Sequence, residues 1–180
     1  MRTSKKKAYA WIRRNALKLM LAAVSFALVS LVLGTSISTL LLAIAFILAA
    51  SFSTFYYNYA VVPINFELVK IATIVFAYNH GAAGGLAVGI ISTIAGKVLI
   101  GRIDEKLPLS VAAISLVAIG ASLFSGADIV TLGIALVGIY NITMFALSIA
   151  MGGDLAWNLP YEGTNFLFNL ILFTRLVPLL

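Results

Sequence analysis

The stretch Ile129–Ala150 reads IVTLGIALVGIYNITMFALSIA, twenty-two residues without one acid or base. About 20 consecutive apolar residues suffice for a helix to cross the hydrocarbon core of a bilayer. Lipid cannot hydrogen-bond an open backbone, so a segment of this kind in a membrane is helical, with its backbone bonds closed within itself. That one run therefore sets the expectation for the rest of the chain.

Working outward, similar apolar runs read as helices at residues 16–33, 39–55, 63–78, 82–100, 109–124 and 166–180. Turn-type residues separate them: Gly34-Thr35-Ser36, Tyr56-Tyr57-Asn58-Tyr59, Asn79-His80-Gly81, Ser125-Gly126-Ala127-Asp128, a charged stretch at 101–108 and a longer segment at 152–165. Over the whole chain 62% of residues are hydrophobic and 10% charged, against about 25% charged in soluble domains. A water-soluble fold has no interior large enough to hide that surface. The expected architecture is an all-α integral membrane protein, a compact bundle of six transmembrane helices, or seven if every run crosses. Seven crossings place the acidic 152–165 segment on the cytoplasmic side, whereas six fit the charge distribution better. The two segments on which the count turns are 8–33, which also suits the interface, and 63–78, which is short for a span.

Of the twelve basic residues, seven (Arg2, Lys5, Lys6, Lys7, Arg13, Arg14 and Lys18) lie in the first eighteen positions. The net charge of +6 thus belongs to one tail. Beside a first apolar run, basic residues mark the cytoplasmic side and meet anionic headgroups, which argues against nucleic acid as their partner. The run at 16–33 is longer than the apolar region of a cleaved signal peptide. Residues 1–15 accordingly read as a cytoplasmic tail and 16–180 as a single transmembrane domain in the cell membrane.

The chemistry open to the chain is narrow. The sequence has no cysteine and one histidine, His80, so disulfides, thiolate catalysis and zinc-thiolate sites are excluded. A serine nucleophile has only His80 as its base, and no Gly-x-Ser-x-Gly elbow occurs. Neither an enzyme, a cofactor nor a metal site is expected. The Gly84-Gly85-Leu86-Ala87-Val88-Gly89 stretch follows no strand and has no basic residue placed for phosphate, so it is not a nucleotide loop.

Four groups of residues stand out. Glu67 and Lys70 are three apart within an apolar run and share a helix face; an ionisable pair at membrane depth marks either a solute or ion path or a structural contact turned toward a neighbouring helix. Gly81, Gly85, Gly89, Ser92 and Gly96 form a ridge of small residues that lets a second helix backbone approach closely. The segment at 152–165 gathers Asp154, Trp157, Asn158, Tyr161 and Glu162. It reads either as a binding lid for a small cationic or heteroaromatic solute or as an interfacial aromatic anchor on an ordinary loop. Below it, Tyr140 with Asn141, and Asn165 with Asn169, are polar groups that need partners in lipid: either each other, or a pocket under the lid.

The stretch from Val62-Pro63-Ile64-Asn65-Phe66-Glu67 through Tyr78-Asn79-His80-Gly81-Ala82-Ala83-Gly84-Gly85-Leu86-Ala87-Val88-Gly89 runs proline, apolar helix, turn, then a glycine-spaced helix. It resembles the substrate-binding S components of energy-coupling-factor vitamin transporters, and also the MreD-like rod-shape membrane proteins. The likeness covers residues from about 39 onward, and the extra apolar run at the start departs from it. The S-component resemblance implies a membrane subunit that captures a vitamin-like solute from outside and relies on a separate ATP-hydrolysing module. It also implies that Ala23, Ala27, Ala45 and Ala49, spaced as Ala-x-x-x-Ala, face a membrane coupling subunit. Lys97 stands near the point where MreD has an acid, which favours the transporter resemblance.

The leading expectation is a solute-binding transporter subunit with Trp157, Asn158, Tyr161, Glu162, Asn141 and Asn169 as contacts. The alternatives are an MreD-like scaffold without catalysis and a stand-alone channel or carrier gated by Glu67 and Lys70.

Overall fold

The computed structural model describes residues 34–59, 62–101, 103 and 106–179. The basic tail at 1–15, the apolar run at 16–33, and Ala23 and Ala27 lie outside the described residues. The chain divides into two units, Met1–Leu42 and Ala43–Leu180. Of the first, the described part is a short stretch in which the Ser36 hydroxyl accepts from the Thr39 amide at 3.1 Å. That bond satisfies one of the free amides at the start of helix α1, Ile37–Phe52.

The described residues form helices and no strands. After α1 come a short 3-10 turn at Phe55–Asn58, then α2 (Val69–Leu99), α3 (Leu107–Leu123), α4 (Ile129–Ala150), α5 (Leu155–Arg175) and a last 3-10 turn at Val177–Leu179. Three stretches are long and apolar enough to cross a membrane: Ile37–Asn58, Val69–Leu99 and Ile129–Ala150. Six or seven such stretches are not found among the described residues.

The α2 helix is not one rod. Gly81 sits at φ +81°, ψ 172° inside it, a conformation open to glycine and strained for a side-chain-bearing residue. The chain folds back there, so residues 69–80 and 82–99 form two antiparallel arms. Where they meet, a β-carbon on Gly85 would stand 2.8 Å from the Ala77 Cα, and one on Gly89 2.8 Å from the Thr73 hydroxyl. The ridge of small residues thus faces its own preceding arm, and farther along it Gly96 faces Thr54.

The first arm is the centre of the Ala43–Leu180 unit. Every residue from Val69 to Ala77 is buried, as befits a helix that is apolar on nearly every side. Its twelve residues span roughly 18 Å at about 1.5 Å each, short of the hydrocarbon thickness of about 30 Å. The expected helix at 63–78 therefore begins six residues late. Residues 62–68 are irregular and held by side chains: the Tyr56 hydroxyl donates to the Ile64 carbonyl at 2.6 Å and accepts from the Phe66 amide at 3.0 Å. The Asn65 and Leu68 amides donate to Thr164 and Ser53 hydroxyls at 3.0 and 2.9 Å. These side-chain partners take the place of the helical hydrogen bonds that the stretch does not make.

A second correction concerns 152–165, expected as a loop. From Leu155 onward it is helix, continuous with the last apolar run as α5. The Asp154 carboxylate caps it by accepting from the Ala156 amide at 2.9 Å. Pro160 sits inside the helix, in its second turn, where its missing N–H removes the i→i−4 bond to the Ala156 carbonyl.

The surface of this unit is unlike that of a soluble protein. Leu116, Leu123, Ile139, Ile142, Leu159 and Ile171 are exposed, whereas Lys70, Asn65, Asn165 and Asn169 are 1% exposed or less. An exterior of large aliphatic side chains, over an apolar core that also holds buried polar groups, is stable where the surroundings are hydrocarbon and costly in water.

Candidate functional site: a polar cavity in the helical bundle

Within the Ala43–Leu180 unit lies a cavity of about 350 Å³. Its walls come from the 3-10 turn and the irregular segment (Tyr57, Asn65, Glu67), both arms of α2 (Lys70, Ser92, Thr93, Gly96, Lys97), α3 (Ser110), α4 (Tyr140, Met144, Ser148) and the start of α5 (Trp157, Asn158, Tyr161, Glu162). Polar residues meet here because α5 is amphipathic in the inverted sense. Asp154, Asn158, Tyr161, Glu162, Asn165 and Asn169 recur three or four positions apart along one side, while Leu155, Leu159 and Leu167 are exposed on the other.

Two charged arrangements line the walls. In the first, Lys70 Nζ stands 3.5 Å from Glu67 Oε2 and 4.4 Å from the centre of the Tyr140 ring. The ring face adds a cation–π contact to the ion pair, which offsets part of the cost of burying the ammonium. Asn65 holds Glu67 from the other side, its amide nitrogen 3.4 Å from Oε2 and its carbonyl oxygen accepting from the Glu67 amide at 3.0 Å. In the second, Lys106 Nζ donates to the Ser148 hydroxyl at 2.8 Å, and that hydroxyl donates to Asn158 Oδ1 at 2.8 Å. The Asn158 amide then donates to the Asp154 carbonyl at 2.7 Å. This chain ties α3, α4 and α5 together at one end of the cavity. Gly153 permits the approach, since a β-carbon there would stand 2.6 Å from the Ser148 carbonyl.

The aromatic walls are Tyr57 and Tyr161, stacked with centres 6.1 Å apart and planes 26° from parallel, together with Trp157. Several buried polar atoms have no hydrogen-bond partner, among them Glu162 Oε2 and Ser92 Oγ on the cavity wall, and Asn141 Oδ1, Asn165 Nδ2 and Asn169 Oδ1 elsewhere. Groups of this kind in an interior are rare and call for an explanation.

Of the residues singled out in the sequence, Trp157, Asn158, Tyr161 and Glu162 line the cavity, and so do Glu67, Lys70, Ser92 and Gly96. The ion pair and the 152–165 segment, read separately above, share one site. Asn141 and Asn169 are not on its wall. Asn141 Nδ2 donates to the Glu162 carbonyl at 3.3 Å, which braces α5 from α4, and Asn169 Nδ2 donates to the Asn165 carbonyl at 2.9 Å within α5 itself. Ala45 and Ala49 are exposed on α1. Lys106, Ser110, Ser148 and Tyr57 escaped the sequence reading; the signal available was the recurrence of polar residues at helical spacing on α5, which demands polar partners opposite. Among the described residues no group of His, Asp or Glu side chains is placed to hold a metal ion.

Comparison with known proteins gives no match: no family model matches the sequence, and no curated protein or solved structure does either.

Proposed function

We propose that the chain is a membrane-embedded solute-binding subunit of a transporter, which captures a small vitamin-like or heteroaromatic solute in the Ala43–Leu180 cavity and relies on a separate ATP-hydrolysing module. The observation that carries this reading is the cavity itself. Its volume falls in the range of small-molecule sites, roughly 300–1,000 Å³, and it combines stacked aromatics, amides, hydroxyls and both signs of charge. A purely structural polar core closes its own hydrogen bonds, whereas this one leaves Glu162 Oε2 and Ser92 Oγ, on residues of the cavity wall, buried without partners.

The dependence on an ATPase rests on the S-component resemblance and on a sequence without a nucleotide-binding motif. In the same reading α1, the 82–99 arm, α3, α4 and α5 cross the cell membrane, and the 69–80 arm is a half-span enclosed by them. α1 runs parallel to the 82–99 arm, with Ser51 against Ser92 and Thr54 against Gly96, so the half-span carries the chain back between the two.

The test is calorimetry on purified protein against a panel of vitamins and nucleobases. A saturable heat with at least one member, weakened about tenfold or more by Trp157→Ala through loss of a stacking face, supports solute capture; no binding by any member overturns it. Co-purification with ATP-hydrolysing subunits supports the transporter assignment, and co-purification with wall-synthesis proteins favours the scaffold instead.

A further inference from the structure

We infer that the solute is a small organic cation whose N–H donors are received by Glu162, with its apolar body between Tyr161 and Trp157. This deepens the solute-capture reading and rests on it. The cavity wall carries three carboxylates, Glu67, Asp154 and Glu162, and three lysines, Lys70, Lys97 and Lys106, so what distinguishes Glu162 is its missing partner and not an excess of negative charge. Lys70 is committed to Glu67 at 3.5 Å and to the Tyr140 ring at 4.4 Å. Glu162 Oε2 is buried without a hydrogen-bond partner. Buried carboxylates are held by cations or N–H donors; Lys70 and Lys106 act on Glu162 through space, but among the described residues no donor reaches Oε2.

A second observation is independent of charge. Ser92 is fully buried on the cavity wall, across from α5 on the second arm of α2, and its hydroxyl has no partner. A hydroxyl both donates and accepts, so a ligand with an N–H edge satisfies it together with the carboxylate. The aromatic faces complete the match: Tyr161, stacked on Tyr57, and Trp157 present π-surfaces that attract a cation or a flat, electron-poor ring. An anionic solute would meet the Glu162 carboxylate and be repelled there, whereas Lys106, which donates to the neutral Ser148 hydroxyl at 2.8 Å, keeps its charge, so benzoate is the probe that separates the two.

Three probes of nearly equal shape test the inference on the full chain in lipid nanodiscs: benzamidine as the cation, benzamide as the neutral form and benzoate as the anion. Benzamidine is expected to bind about tenfold or more tightly than benzamide, the effect of a charge-assisted hydrogen bond, and benzoate not to bind. Glu162→Gln is expected to erase the preference for the cation, and Ser92→Ala to weaken benzamidine by a smaller factor. The comparison of probes on the unaltered protein stands even where a variant fails to fold. Equal binding of benzamide, or tighter binding of benzoate, overturns the cation assignment and leaves solute capture intact. No saturable binding by any of the three also overturns it, and the vitamin and nucleobase panel on the same preparation shows whether solute capture falls as well.

Discussion

Replacing Gly85 with alanine probes the folded-back α2 at its tightest point. A β-carbon there meets the Ala77 Cα at 2.8 Å and the Ala77 nitrogen at 3.2 Å. Both are backbone atoms, which no rotamer change can move aside, so the two arms must separate. Overpacking of this kind costs about 1–3 kcal/mol, while alanine in place of glycine in a helix returns up to about 1 kcal/mol. The steric term wins because it falls where Val69 to Ala77 are all buried and the neighbours cannot yield. Gly85→Ala should therefore lower thermal stability in detergent, read by circular dichroism at 222 nm. The Ala77→Gly/Gly85→Ala double variant should be more stable than the sum of the two single changes by about 0.5–3 kcal/mol, because the two side chains compete for one space. Gly163→Ala is the control: nothing lies within 4 Å of its β-carbon position, so helix propensity alone predicts no loss. If Gly85→Ala unfolds at or above the temperature of the unaltered protein, the arms are not packed face to face.

Two further outcomes follow from single contacts. Lys70→Met removes the ammonium that Glu67 faces and should destabilise by about 3 kcal/mol, the low end for breaking a buried pair, because the Glu67 side chain keeps 19% exposure; adding Glu67→Leu should recover most of that loss in denaturant titrations, and no recovery would mean the two are not paired. Asp128 caps α4 by accepting from the Thr131 amide and hydroxyl, each at 2.8 Å, and the amide bond foremost holds its carboxyl below the ordinary aspartate value. Since the folded value is the lower one, this stabilisation is present above the unfolded value and is lost as pH falls through the folded one. Asp128→Asn keeps an acceptor at the cap without the titration, so the fall of melting temperature on acidification should be shallower in the variant; identical slopes would contradict the cap.

Much of the helical layout is legible because hydrophobic length is a strong signal. The run at Ile129–Ala150 coincides with α4, and those at 39–55 and 109–124 differ from α1 and α3 by one to three residues at each end. The break at Asn79-His80-Gly81 matches the fold-back, since a glycine among turn-type residues between apolar runs is where a helix reverses. What misleads is polarity. The 152–165 segment reads as a loop because in water its Asn, Glu and Thr residues face solvent, whereas here Asn158 meets the Ser148 hydroxyl, Thr164 meets the Asn65 amide and Glu162 Oε2 is buried; Asp154 stays exposed as the cap. Reading 63–78 as helix fails for the complementary reason. The run is apolar enough, but the backbone of residues 62–68 finds its hydrogen bonds on Tyr56, Ser53 and Thr164, partners far away in sequence. Lys106 is overlooked because a lysine in a charged stretch looks solvated, and only the fold brings Ser148 to 2.8 Å from it.

The proposed function stands on outer helix faces that meet hydrocarbon and on a polar cavity between the helices. Because the chain contains no cysteine, nitroxide labels can be placed one at a time at Leu116, Ile142 and Ile171, which are 70%, 71% and 59% exposed, and at Asp154 on the cavity wall. In protein reconstituted into liposomes, the three apolar positions should relax with dissolved oxygen and ignore a water-soluble nickel chelate, and Asp154 should do the reverse. Nickel access at Leu116, Ile142 and Ile171 equal to that at Asp154 would place these faces in water and contradict the account.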